Sequence, residues 1–240
     1  MRGEGEAQRH QSLPSPSGRG EGVRAVQISD NDSMEMFTLV FIAFAALVFF
    51  NVQAQRHRLV TLAGHLRPYR IEENMEHLLE GYLRAVGEKD PERARHVWTN
   101  LHQTEQTLVK QFNQLVQALE QDKTLPRLAP VPFQAVLADK LPSGISFEFA
   151  PLMRVHAQGI AFCADHPEVE SEADRKQRAF TMSAELLLMQ HSCHWFCRSR
   201  AMASARLVAK HQTQYTQVLE AVSANTRAAY QRAVGAGPHP

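Results

Sequence analysis

Apolar positions along this chain change their rhythm several times, and each change marks an element. From Met36 to Phe50 they are continuous, with Thr38 the single polar interruption. From Tyr69 to Val86 they thin to Ile71, Met75, Leu78, Leu79, Tyr82, Leu83 and Val86. That spacing of three and four is the stripe of an amphipathic helix, and Gly87 is placed to close it as a left-handed C′ residue. Asp90-Pro91-Glu92 then supplies an N-cap, a proline in the first turn and an early acid, which together predict a helix start. The helix runs to about Asp122, with Val97, Trp98, Leu101, Leu108, Phe112, Leu115, Val116 and Leu119 inward. Its other face is Gln103, Thr104, Gln106, Thr107, Gln111, Asn113, Gln114 and Gln117. Few charges sit there, so it reads as drift on an exposed face or as a surface that meets another.

Prolines 126, 130, 132 and 142 cut residues 123–146 into short pieces, a long connection expected to pack Val131, Phe133 and Leu137 on the bundle. A helix from about Phe149 to Ala164 follows. Ser171 with Asp174 three positions later resembles a capping box and opens the longest soluble pattern, expected to run unbroken from Glu172 to Lys210. Between Phe180 and Phe196 that pattern is apolar nearly all round, as a central helix requires. Shorter helices are predicted at about Thr213–Val222 and Asn225–Val234. No alternating run long enough for a strand competes. The fold class is all-α: one membrane-spanning helix followed by a bundle of about four to six helices.

A bilayer core needs about 20 helical residues, and residues 36–54 supply that length with Asn51 and Gln53 near the end. Arg56, Arg58, Arg67 and Arg70 follow the span, whereas only Arg24 closely precedes it. Cytoplasmic flanks carry the excess of Lys and Arg. The expectation is therefore a bacterial inner-membrane anchor with its N-terminus outside and residues 55–234 in the cytoplasm. The same arginines are placed to meet anionic lipid headgroups. Val52-Gln53-Ala54 also fits a signal-peptidase site, but a start at Met34 or Met36 leaves no basic n-region before it. An uncleaved anchor is preferred over that signal peptide and over a buried core helix.

Residues 1–33 show no apolar periodicity and are rich in Gly, Ser and Pro, so they are expected to be unordered. They read as an extension entered through a start codon placed too early. Residues 235–240 form a second unordered tail. The charge balance, 26 basic against 25 acidic residues, lacks the clustered positive charge of a nucleic-acid binder. Three cysteines are too few and too odd in number for a disulfide framework.

The one unusual cluster is His191-Ser192-Cys193-His194-Trp195-Phe196-Cys197-Arg198. With Cys163, the residues His191, Cys193, His194 and Cys197 form a candidate metal set, and zinc is the cation that mixed sulfur and imidazole ligands favour. His166 is a further ligand candidate. The spacing lacks the paired short knuckles of zinc ribbons, so buried structural cysteines and histidines are the plainer reading, with no cofactor. Glu185 sits among Ala184, Leu186, Leu187 and Leu188, and a buried carboxylate requires a partner. His191, Arg198, His156 or Arg200 is expected to supply it, in a buried polar network of Glu185, His191 and Arg198.

Other templates fail. No acidic residue has His three positions later, as a di-iron bundle requires. Glu73 with His77 and Glu92 with His96 are spaced as helix-face pairs. There is no phosphate loop, nucleophile elbow or His-Glu-x-x-His. The chain reads as a single-pass, membrane-anchored interaction or scaffolding module rather than an enzyme, with the bilayer and a protein of unknown identity as partners. A membrane-tethered metal or thiol sensor, and a bundle enzyme built on the Glu185 group, are the rivals.

Overall fold

The computed structural model describes residues 30–165 and 171–235. The stretches expected to be unordered lie outside this range except at Asp30–Ser33, which are helical, and at Gly235; His166 also lies outside it. The described residues form nine α-helices and no strand. They are α1 (Asp30–Leu66), α2 (Ile71–Gly87), α3 (Pro91–Gln121), α4 (Gln134–Leu137), α5 (Phe149–Ala164), α6 (Glu172–Cys197), α7 (Arg200–His211), α8 (Tyr215–Ala221) and α9 (Ala224–Ala233). The chain divides into two compact units at Ala43–Phe44, inside α1.

In the first unit, the described part of α1 turns its apolar side chains outward: Phe37 is 72% and Phe41 71% exposed. Thr38, the polar interruption, donates its hydroxyl to the Met34 carbonyl at 2.8 Å, which keeps the group satisfied without water. Among the described residues, one helix is long and apolar enough to cross a membrane, and none of its apolar window is buried.

In the second unit α2 pairs with α3, α3 with α5 and α5 with α6, while α7, α8 and α9 close over α5 and α6. Most of the stripes predicted for α2 and α3 pack: Ile71, Met75, Leu78 and Tyr82 lie against Leu101, Leu108, Phe112 and Leu119 in one core, whereas Leu83 and Val86, expected in the α2 stripe, are exposed. Gly81 permits this approach, because a Cβ there would overlap the Leu101 side chain. Asp90 caps α3 as expected, accepting from the Glu92 and Arg93 amides at 2.9 and 3.4 Å. Gly87 does not take a left-handed C′ conformation; it is the last helical residue, and extended Glu88 ends α2. A smaller core gathers Leu152, Leu188, Leu207, Val218 and Tyr230.

Two further expectations need correction. The helix predicted over Glu172–Lys210 is two helices, broken at Arg198–Ser199. Ser199 starts α7 by accepting from the Met202 amide at 3.2 Å, and side chains from elsewhere take the carbonyls that the break sets free. Gln134 Nε2 donates to Trp195 O at 2.5 Å and to Arg198 O at 3.1 Å. Arg58 Nη1 reaches Phe196 O at 3.4 Å. In the proline-rich connection the buried anchors are Leu128, Ala129, Gln134, Ala135 and Ala138, with Val131, Phe133 and Leu137 only partly covered. Leu128 and Phe147 exchange two backbone hydrogen bonds of 2.9 Å, so the connection closes on itself like a buckle.

Candidate functional site

An open groove of about 640 Å³ lies where the end of α1, the start of α2 and the end of α6 meet. Leu59, Leu62, Leu66 and Ile71 give it an apolar floor, and Cys193, His194 and Cys197 line the α6 side. Its rim carries both signs: Glu72, Glu73 and Glu76 from α2, and Arg67 and Arg70 from the α1–α2 turn. Arg70 is chelated by Glu73 through two hydrogen bonds. Glu76 holds Lys210 of α7 at 3.0 Å. A smaller pocket of about 140 Å³ shares Cys193 and His194 with the groove and adds Met189.

Burial dominates the electrostatics of the α6 wall. It raises the Cys193 thiol well above its ordinary range, with Cys197 and Glu72 adding to the rise. It pushes Cys197 up to about 11 against the pull of Arg198 and Arg58. His194 is held down at about 4 by burial, helped by Arg206 and Lys210. At neutral pH these groups are two thiols and a neutral imidazole.

The five residues considered together for a metal are not brought together. Cys163 is buried on α5, where burial first and then Glu185 raise its thiol to about 12. His191 Nε2 bonds Ser204 Oγ at 3.1 Å, and its ring lies 4.7 Å from that of Tyr215. Burial, with Arg200 and His194 nearby, lowers His191 to about 3. Only Cys193, His194 and Cys197 share a wall, and among the described residues no three His, Cys, Asp or Glu side chains are grouped as metal ligands.

Glu185, His191 and Arg198 likewise go three ways. Residues six apart on a helix point about 120° from each other, which separates Glu185 from His191, and Arg198 lies beyond the end of α6. Glu185 faces α9: Oε1 accepts from the Ser223 amide at 3.1 Å, and Oε2 lies under Gly159, where a Cβ would overlap it and Thr226. Burial raises this carboxyl, with Thr226 and Ser223 partly offsetting the rise. Arg198 donates to Gln55 Oε1 at 2.9 Å on the surface. His156 pairs instead with Ser192 Oγ at 2.8 Å. A histidine beside a serine is the core of a nucleophile–base pair, but both are 0% exposed and Ser192 already donates to the Leu188 carbonyl. No substrate reaches that hydroxyl.

Of the four arginines expected at headgroups, Arg56, Arg67 and Arg70 are exposed. Arg58 is not, at 1% exposure. Its Nη2 donates to Arg127 O at 2.7 Å, and its guanidinium lies 5.4 Å from the Phe196 ring centre. A guanidinium spent on backbone carbonyls and an aromatic face is unavailable to lipid.

One buried ionic cluster escaped the sequence reading. Glu105, 1% exposed, accepts from Arg178 Nη1 at 2.9 Å and from the Tyr82 hydroxyl. Its signal was present: Glu105 falls four after Leu101 and three before Leu108, inside the apolar stripe of α3. On that polar helix, Gln106 and Gln111 are used internally, bonding the Ala164 carbonyl and the Arg70 amide.

No family model, curated protein sequence or solved structure matches the chain.

Proposed function

We propose that this is a single-pass membrane protein whose helical domain acts as an interaction module at the membrane surface. The observation that carries this reading is the contrast along α1. Its apolar residues before Asn51 are largely exposed, whereas Arg58 and Leu62, two and three turns further on, are buried in the second unit. Exposing Phe37, Phe41, Ile42, Phe44, Phe49 and Phe50 to water on one helix is unfavourable at roughly 1.5–3 kcal/mol for each large side chain left uncovered. A bilayer removes that cost. The interaction role draws support from the mixed-charge groove beside α1, a concavity with an apolar floor. It also draws support from the enclosure of the His156–Ser192 pair, which leaves that pair no route to catalysis.

Orientation follows the charge bias: N-terminus outside, domain in the cytoplasm of a bacterial cell. Arg58 still counts here, because insertion reads the charges of a chain not yet folded. The test is a pair of reporters fused after Pro240, one active only in the cytoplasm and one only outside it, with alkaline carbonate extraction of the membranes. Cytoplasmic activity and retention in the carbonate pellet are expected. Release into the carbonate supernatant would remove the anchor, and an active outside reporter would reverse the orientation.

A further inference from the structure

The Arg127 amide donates to Asp139 Oδ1 at 2.7 Å, and every residue between them, from Leu128 to Ala138, is uncharged. With the Leu128–Phe147 backbone pair, that bond closes the base of the proline-rich connection. Its apex is Pro130-Val131-Pro132-Phe133, with both prolines exposed and Val131 and Phe133 half-buried. Phe133 holds φ at +55°, a left-handed conformation that a bulky side chain seldom takes. Its ring meets that of Phe44 edge-on, with centroids 6.3 Å apart. Phe44 is the first residue of the second unit and stands within the apolar run of α1, about 10 Å of helix before Asn51. Phe44, Leu47, Asn51, Gln55 and Arg58 recur at three and four along one stripe of α1. Leu47, Asn51 and Gln55 are half-buried there, whereas Phe49, Phe50, Val52 and Gln53 are exposed. At the far end of the stripe Arg58 donates to the carbonyls of Arg127 and Gln134, on either side of the apex. The connection thus runs beside α1 from Arg58 back to Phe44.

We propose that Pro130–Phe133 is inserted among the acyl chains of the leaflet on the domain side of α1, as a short wedge beside the anchor. This rests on α1 being the bilayer span. The ring contact sets the depth, because Phe133 touches Phe44 only by lying at the level of Phe44. A segment at that level must carry no charge and few free backbone donors. Pro130 and Pro132 have no amide hydrogen. The Ala129 amide is bonded to Gln134 Oε1, and the Val136 and Leu137 amides are bonded to the Phe133 carbonyl. The first charges on either side, Arg127 and Asp139 with Lys140 beyond it, stand at the base of the connection. Charged side chains belong there, where the leaflet gives way to headgroups and water. The partner is lipid and not a second protein, because the acyl chains that cover Phe44 border the apex as well.

The test uses the unmutated full chain in vesicles of phosphatidylethanolamine and phosphatidylglycerol that carry a phospholipid with a photoreactive diazirine midway along one acyl chain. After illumination, trypsin cuts at Arg56, Arg70, Arg84, Arg127 and Lys140, so the span, the connection and a water-facing helix fall in separate peptides. Lipid adducts are expected on Ala25–Arg56 and on Leu128–Lys140, and not on Ile71–Arg84, which carries exposed Leu83. Adducts on Ala25–Arg56 without any on Leu128–Lys140 would overturn the wedge and leave the anchor standing. No adduct on Ala25–Arg56 would remove the anchor and the wedge with it. Pro132→Asp adds a charge at the apex and should lower the yield on Leu128–Lys140 by about fivefold or more, with Ala25–Arg56 unchanged. An equal yield on Leu128–Lys140 in that variant would move the lipid contact off the apex and overturn the wedge.

Discussion

Gln134 and Trp195, 61 residues apart, exchange two hydrogen bonds: the amide Nε2 donates to the Trp195 carbonyl at 2.5 Å, and the indole Nε1 donates to Gln134 Oε1 at 3.1 Å. The same Oε1 accepts from the Ala129 amide at 3.2 Å. One buried amide thus ties the proline-rich connection to the place where α6 ends, with both its nitrogen and its oxygen bonded twice.

Removing that amide should cost stability beyond its volume. Gln134→Leu leaves the indole N–H, the Ala129 amide and two carbonyls without this partner, at roughly 1–3 kcal/mol for each buried group not rehydrated. A loss of about 2–5 kcal/mol in denaturant unfolding is expected. A loss under about 1 kcal/mol would mean that water replaces the side chain.

Arg58 should behave as a core residue. Arg58→Leu strands the carbonyls of Arg127, Phe196 and Gln134 and should destabilise by a few kcal/mol, while Arg56→Leu changes stability by less than about 0.5 kcal/mol. Both variants should remain in the membrane fraction. Equal effects on unfolding would return Arg58 to the headgroup collar.

Glu185 should oppose folding as pH rises. Its folded carboxyl titrates above the ordinary 4.5 because burial disfavours the charge. Its contribution is therefore fully present below 4.5 and is lost as pH climbs through the raised value. Glu185→Gln keeps the acceptor for Ser223 and should be more stable than the parent at neutral pH, with a flatter profile above 4.5. A parent and variant with parallel profiles would place an unseen cation beside the carboxylate. Gly159→Ala, whose Cβ would overlap Glu185 and Thr226, should destabilise by about 1–3 kcal/mol.

His156 and His191 carry the opposite slope. Burial lowers both to about 3, against an ordinary 6.5. The unfolded chain binds more protons between those values, so stability is lost as pH falls from 6.5 toward 3. His156→Gln should reduce that acid sensitivity even where it costs stability at neutral pH. Unfolding midpoints measured at pH 7, 5.5 and 4.5 read the difference, and an unchanged slope would mean that His156 is charged in the folded protein.

Sequence alone determined the elements whose causes are local. The Asp90-Pro91 start of α3 and the stripe of α2 are set by capping and by helical period, and both are legible in a few consecutive residues. The span of α5 and the apolar run of α1 were legible for the same reason. Even the break at Ser199 had a local sign, a serine fit to cap, but the apolar pattern ran through it and outweighed it.

What only the tertiary structure decided is where the polar side chains go. Arg58 and Arg56 lie two apart with the same chemistry, yet one is enclosed and the other exposed, because the partner carbonyls belong to residues about 70 and 140 positions away. Glu185, His191 and Arg198 are close in sequence but diverge, since helical rotation and the break turn each toward a different helix. Cys163 was grouped with Cys193 and Cys197 by residue type and lies apart from their groove. A hydrophobic period is written along the chain, whereas a hydrogen-bond partner is fixed only when distant segments pack.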